Sequence, residues 1–126
     1  MRKILVVDDN PDNQDILIFR LRRMGNFELV AASNGKEALE VAARVRPDLI
    51  LMDLRMPVMD GYEATLLLRQ TEWGKDLPII AVTAASNEEY REKALRAGCS
   101  DFIAKPIVDY SVIGRKIREI FGSLAA

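Results

Sequence analysis

The sequence predicts a doubly wound α/β domain: a five-stranded parallel sheet, in the order 2-1-3-4-5, with five flanking helices. Three observations predict the class. Apolar, β-branched runs recur five times, each followed by a helical pattern, and the first four of these have a start signal. Runs such as Ile4–Val7 and Leu49–Met52 are apolar throughout rather than alternating. A strand covered by helices on both faces reads that way. Alternating strands and helices with short right-handed connections then give a parallel sheet.

The first strand is expected over Lys3–Val7. Asn10-Pro11 places a cap residue before a proline at the first helical position. Leu17, Leu21 and Met24 share one helix face, with Gly25 as the stop. The second strand covers Phe27–Ala32, and Asn34 with Glu37 has capping-box spacing. The third covers Asp48–Met52, and Asp60-Gly61 is a turn signal before its helix. The fourth covers Pro78–Val82; Ser86 with Glu89 repeats the capping spacing, and Gly98 ends that helix. The fifth covers Asp101–Ala104, and the last helix aligns Ile113, Ile117, Ile120 and Phe121 before Gly122. No linker, repeat or low-complexity segment divides the 126 residues, so one domain over residues 1–126 is expected, with no room for an output domain after Leu124.

Composition narrows the chemistry. Apolar residues make up 49%, enough for a buried core. Charge is nearly balanced, 18 basic residues against 19 acidic, and no basic block suggests nucleic acid. Apolar runs such as Ile79–Val82 are too short to cross a bilayer, and Asp8-Asp9 cut off any signal-peptide pattern. A cytoplasmic protein is expected. Cys99 stands alone, so no internal disulfide can form. Histidine is absent, which removes His-based triads and phosphohistidine chemistry from this chain. What remains is carboxylates, hydroxyls, lysine and a hard metal.

Those groups fall at strand ends. Asp8 and Asp9 end the first strand, Asp53 the third, Thr83 the fourth and Lys105 the fifth. Ligands of open α/β sheets bind outside the carboxyl ends of the strands, where strand order reverses. Three carboxylates gathered there repel one another unless a cation joins them. All-oxygen ligands suit Mg²⁺. Metal, ammonium and hydroxyl are the parts that phosphoryl transfer needs, and an aspartate can be its nucleophile. Taken singly, these residues have plainer readings. Asp8-Asp9 could be helix caps, Thr83 a turn residue, Lys105 a surface lysine and Phe102 a core residue. The joint placement favours the site.

The chain resembles the receiver (CheY-like) family of response regulators, a flavodoxin-like fold. The resemblance rests on the I-L-V-V-D-D opening, D-L-I-L-M-D-L-R-M-P-V-M-D-G around Asp53, A-V-T-A-A with Thr83, and D-F-I-A-K-P with Lys105-Pro106. It implies a phosphorylation switch in two-component signalling rather than a turnover enzyme. Asp53 would be the phosphoacceptor. Asp9, Asp53 and the carbonyl of Arg55 would hold Mg²⁺, with Asp8 acting through water. Thr83 would bond the phosphoryl oxygens, and Lys105 would pair with the phosphoryl group or Asp53. Phe102 would turn with Thr83, and the bond before Pro106 would be cis. The implied partners are a histidine kinase or histidine phosphotransfer protein and a downstream effector, with a homodimer possible through the fourth helix, fifth strand and fifth helix.

The resemblance also says that side chains two past Asp53 and Thr83, here Arg55 and Ala85, help set the phosphoryl lifetime. Among the rest, Cys99 is expected to be buried. Met52, Met56 and Met59 should pack near the acceptor loop, and Trp73 should cover core. Arg20, Arg22 and Arg23 form either a solvated face or a docking patch. Rival readings are a receiver cut from a hybrid histidine kinase or multidomain regulator, and an aspartate-nucleophile phosphatase. The second lacks its usual second aspartate two residues on, where Asn10 follows Asp8. A phosphate loop is also missing, which disfavours flavin or nucleotide binding.

Overall fold

A computed structural model describes residues 1–84 and 87–122. In chain order its elements are β1 (Arg2–Val7), α1 (Pro11–Met24), β2 (Phe27–Ala32), α2 (Gly35–Val45), β3 (Leu49–Met52), α3 (Gly61–Arg69), β4 (Ile79–Thr83), α4 (Glu88–Ala97), β5 (Asp101–Ala104) and α5 (Ser111–Phe121). All strand pairs are parallel and the order is β2-β1-β3-β4-β5, as expected. The order reverses between β1 and β3.

Period-two alternation within apolar strands builds two separate cores. Leu5, Val7, Ile50, Met52, Ile79 and Ala81 face α2, α3 and α4. Ile4, Val6, Leu49, Leu51, Ile80 and Val82 face α1 and α5 through Leu17, Leu21, Ile113 and Ile117. The stretches Ile4–Val7, Leu49–Met52 and Ile79–Val82 are therefore apolar throughout because both faces are covered. Cys99 is buried beside Thr65, its Sγ 3.9 Å from Oγ1. Trp73 packs against the first core, with the Arg46 guanidinium 4.5 Å from its ring centroid.

Several boundaries differ from expectation. β4 runs one residue further and includes Thr83, whose carbonyl accepts from the Lys105 N–H at 2.9 Å. β3 begins at Leu49, because the Asp48 side chain is used to accept from the Lys3 N–H at 2.8 Å. Asn10 and Asn34 cap as expected, but Glu37 makes no return bond among the described residues. For α4 the cap is Asn87, whose side chain accepts from the Tyr90 N–H at 3.0 Å. Ser86, expected in that role, and Ala85 lie outside the described residues. Gly98 and Gly122 adopt the left-handed conformation that stops a helix, while Gly25 is extended.

One cation ties α3 to the end of α4 and to the α3–β4 connection. Arg69, last in α3, donates from Nε and Nη2 to the Gly98 carbonyl at 3.0 and 2.7 Å. Its Nη1 reaches the Gly74 and Leu77 carbonyls, both at 2.6 Å. The Gly98 and Leu77 carbonyls end α4 and the α3–β4 connection, and the guanidinium supplies their donors, while the Gly74 carbonyl also accepts from the Leu77 N–H at 3.4 Å. Arg69→Ala is expected to lower stability by about 2–4 kcal/mol, since charged hydrogen bonds are lost and carbonyls left unpaired. The urea midpoint measures it; a change within error would show that water replaces the guanidinium.

Candidate functional site

Adjacent strand ends bring the carboxylates together. The Asp53 N–H donates to the Val7 carbonyl at 2.9 Å, and the Asp8 N–H to that of Ala32 at 3.1 Å. Carboxylate oxygens of Asp8, Asp9 and Asp53 all lie within 4.8 Å of one another. Asp8 and Asp53 are buried and Asp9 is exposed at the mouth. The cleft measures about 340 Å³, with Asn10, Asn13, Arg55, Thr83 and Lys105 also in its wall.

Lys105 crosses this cleft. Its ammonium lies 2.6 Å from Asp8 Oδ2 and 3.3 Å from Asp53 Oδ2, so it bridges two acids and sits nearer to Asp8. Burial acts against the charged ammonium, but its bond to Asp8 and the charges of Asp53 and Asp8 outweigh that and raise its pKa. Asp53 is also raised. Burial is the largest cause, and the Asp8 charge adds to it against the opposing pull of Lys105 and the Arg55 N–H. One lysine therefore does not neutralise this cluster, and a divalent cation would. The all-oxygen donor set and its convergence fit Mg²⁺.

The acceptor loop is clamped from three sides. Arg55 N–H donates to Asp53 Oδ1 at 3.2 Å. Gly61 N–H donates to the Leu54 carbonyl at 3.0 Å, and Gly35 N–H to that of Met59 at 2.8 Å. Between them Met59 N–H reaches back to the Pro57 carbonyl at 2.8 Å, a γ-turn that holds Val58 at φ 70°. A β-branched residue is strained there. Met52 is buried, and Met56 and Met59 pack against the core, as expected.

Of the predicted residues, Asp8, Asp9, Asp53, Arg55, Thr83 and Lys105 share one cleft, and Ala85 lies outside the described residues. Thr83 is fully buried and lines the cleft. Phe102 is half-buried against the first core, one strand away. The Lys105-Pro106 bond is cis, as the resemblance implies. Sequence reasoning missed two residues. Asn13 lines the cleft one turn after Asp9, a spacing that could have placed it. Gln14 had no sequence signal: its Nε2 donates to the Asp8 carbonyl at 2.6 Å and the Ala32 carbonyl at 2.8 Å, tying α1 to both strand ends. Of the α1 arginines, Arg20 lies 4.7 Å from the Tyr110 ring centroid and Arg23 5.5 Å from that of Phe19.

An acidic cleft at the switch point of a parallel sheet, crossed by one lysine, defines a receiver-type phosphorylation module. The chain belongs to the response regulator receiver domain family, which matches residues 4–117. It is 36% identical to the polar-differentiation response regulator DivK of Brucella anthropi, the match covering 84% of this chain and 85% of that one. It is 43% identical to hybrid signal transduction histidine kinase G of Dictyostelium discoideum over 83% of this chain but 3% of that protein. Among solved structures, the receiver domain of a sensor histidine kinase from Pseudomonas aeruginosa PAO1 superposes with a TM-score of 0.88 at 41% identity, covering 97% of this chain and 98% of that one. That structure carries a magnesium ion coordinated in its active site cleft. The chemotaxis protein CheY4 of Vibrio cholerae superposes with a TM-score of 0.88 at 28% identity, covering 96% and 99%. The chain is a two-component signalling receiver.

Proposed function

We propose that Asp53 accepts the phosphoryl group, with Mg²⁺ held by Asp9, Asp53 and the Arg55 carbonyl, and by Asp8 through water. The observation that carries this reading is the convergence of three carboxylates and one ammonium on the end of β3. Bound Mg²⁺ would neutralise the carboxylates and the incoming phosphoryl oxygens. An Asp53 oxygen forms the new O–P bond as the P–N bond of a phosphohistidine donor breaks, its electron pair leaving with the imidazole. Lys105 is placed to meet the charge on the transferred group. Thr83, buried beside it, is placed to donate to a phosphoryl oxygen. Movement of Thr83 would open space for Phe102 and bias the surface of α4, β5 and α5, where an effector or a second copy would read the change. Pro106 shapes the turn that carries Lys105.

The donor is a histidine kinase or phosphotransfer protein. A groove of about 400 Å³ beside the cleft, lined by Ile16, Leu17, Ile107 and Tyr110, supports its docking along α1. Phe19 is 57% exposed on the same helix, and Arg20 flanks Tyr110. Among the described residues no helix is long and apolar enough to cross a membrane, and we place the protein in the cytoplasm. The likeness to a hybrid kinase keeps one other setting, the same module within a longer kinase.

Intact mass after incubation with Mg²⁺ and acetyl phosphate tests the reading. One phosphoryl adduct is expected on the wild type, none with EDTA and none on Asp53→Asn. An adduct that survives in Asp53→Asn would move the acceptor elsewhere. No adduct and no beryllofluoride complex would leave a phosphorylation-independent binding module.

A further inference from the structure

The three acids of the cleft are not held alike. Asp8 Oδ1 accepts from the Asn10 N–H at 2.9 Å and its Oδ2 from Lys105 at 2.6 Å. Asp53 Oδ1 accepts from the Arg55 N–H at 3.2 Å and its Oδ2 from Lys105 at 3.3 Å. The Asp9 carboxylate has no such hold among the described residues, and it is exposed at the mouth. Its place within 4.8 Å of the other two therefore follows from its backbone.

That backbone is pinned by Gln14, in the first turn of α1. The Gln14 Nε2 donates to the Asp8 carbonyl at 2.6 Å and to the Ala32 carbonyl at 2.8 Å. Only the NH₂ of an amide can face two carbonyls, so its orientation is fixed and both protons are used. The Ala32 carbonyl also accepts from the Asp8 N–H at 3.1 Å. Asp8 is thus tied on both sides, its N–H to β2 and its carbonyl to α1. Side-chain bonds to backbone are commonly no more than braces. This one acts on a rigid unit. The peptide joining Asp8 to Asp9 is planar, so fixing the Asp8 carbonyl fixes the plane that carries the Asp9 Cα.

We propose that Gln14 is a positioning residue for the metal: by holding the Asp8–Asp9 peptide it keeps the Asp9 carboxylate at the cluster and sets the Mg²⁺ affinity of the cleft. Without that hold, the cation itself would have to gather Asp9, and the ordering would weaken binding. The role rests on the reading of the cleft as a Mg²⁺ site, but not on Asp53 as the acceptor.

The probe is Mg²⁺ alone, titrated into isotope-labelled protein with no phosphoryl donor present. In the wild type, the Asp9 amide and the Gln14 side-chain amide should shift along one saturable curve. Gln14→Met keeps the length and helix propensity of the side chain and removes both donors. It should bind Mg²⁺ about tenfold more weakly, the scale on which partners behind the ligands tune a metal site. Arg69→Ala is the comparison for lost stability alone, because its bonds lie near the amino ends of β4 and β5, at the edge opposite the cleft. It should keep wild-type affinity despite a lower urea midpoint. With acetyl phosphate, Gln14→Met should need about tenfold more Mg²⁺ for half-maximal rate, yet approach the wild-type rate at saturation. Equal affinity in wild type and Gln14→Met, an equal loss in Arg69→Ala, or a Gln14 amide that ignores Mg²⁺ would each overturn the role. So would a Gln14→Met rate that stays low at saturating Mg²⁺ with its affinity unchanged. A wild type that binds no Mg²⁺ would instead defeat the reading of the cleft, and the role of Gln14 with it.

Discussion

Asp53→Asn is expected to raise the melting temperature while abolishing phosphoryl acceptance. The two effects share one cause. Asp53 sits in a buried cluster where desolvation, and secondly the Asp8 charge, outweigh the help of Lys105 and leave its pKa raised. The folded chain therefore binds this proton more tightly than the unfolded chain does. Stability falls as pH rises from the ordinary carboxylate value through the raised one, and the cost persists at neutral pH. Asparagine keeps the shape and drops the charge, and Lys105 keeps its bond to Asp8 at 2.6 Å. The gain should be on the order of 1 kcal/mol, a few degrees in Tm. Thermal unfolding in EDTA at neutral pH measures it, and the gap to wild type should close as the pH falls into the carboxylate range. Added Mg²⁺ should stabilise the wild type more than the variant, because the variant loses a charged ligand. An equal or lower Tm for Asp53→Asn in EDTA would mean that the carboxylates are not in conflict.

That conflict was legible in the sequence because it depends on residue types at strand ends. Leu49–Met52 reads better as a strand covered twice than as a buried helix segment, by its length and flanks, and that reading puts the acid after it at the sheet's edge. The connected strand ends then brought Asp8, Asp9, Asp53, Thr83 and Lys105 together without further information. What sequence did not show were choices settled by tertiary geometry. Ser86 and Asn87 are both good caps, and only the path of the chain makes Asn87 the one that accepts from Tyr90. Arg46 ends α2 at φ 53°, where a glycine would have been the readable signal. Val58 holds a positive φ against its own preference because the bonds of Gly35 and Gly61 fix the loop on either side. Gln14 and Arg69 act through backbone carbonyls outside their own helices, and carbonyls carry no sequence signature.

The acceptor loop is also where a methyl group should do the most harm. A Cβ on Gly61 would strike the Asp53 carbonyl oxygen and would lie 2.8 Å from the Leu54 Cα, both backbone atoms that cannot rotate aside. Either α3 must back away or the β3–α3 loop must shift, and the Gly61 N–H bond to the Leu54 carbonyl goes with it. Gly61→Ala is expected to cost about 2–3 kcal/mol, the scale of forced overpacking. The functional loss should be larger than the stability loss implies. A displacement of about 1 Å at a reacting group can cost ~100-fold in rate. Phosphorylation by acetyl phosphate should therefore slow by roughly 10- to 100-fold at a temperature where the variant is still folded. Gly114→Ala is the matched comparison. Its Cβ would meet only Met24 Sδ, at 3.7 Å, and it lies inside α5, where alanine gains up to about 1 kcal/mol in helix propensity. That variant should be as stable as wild type or more so, and phosphorylate normally. A Gly61→Ala protein with wild-type stability and rate would show that the loop yields freely, and that its clamps do not position Asp53.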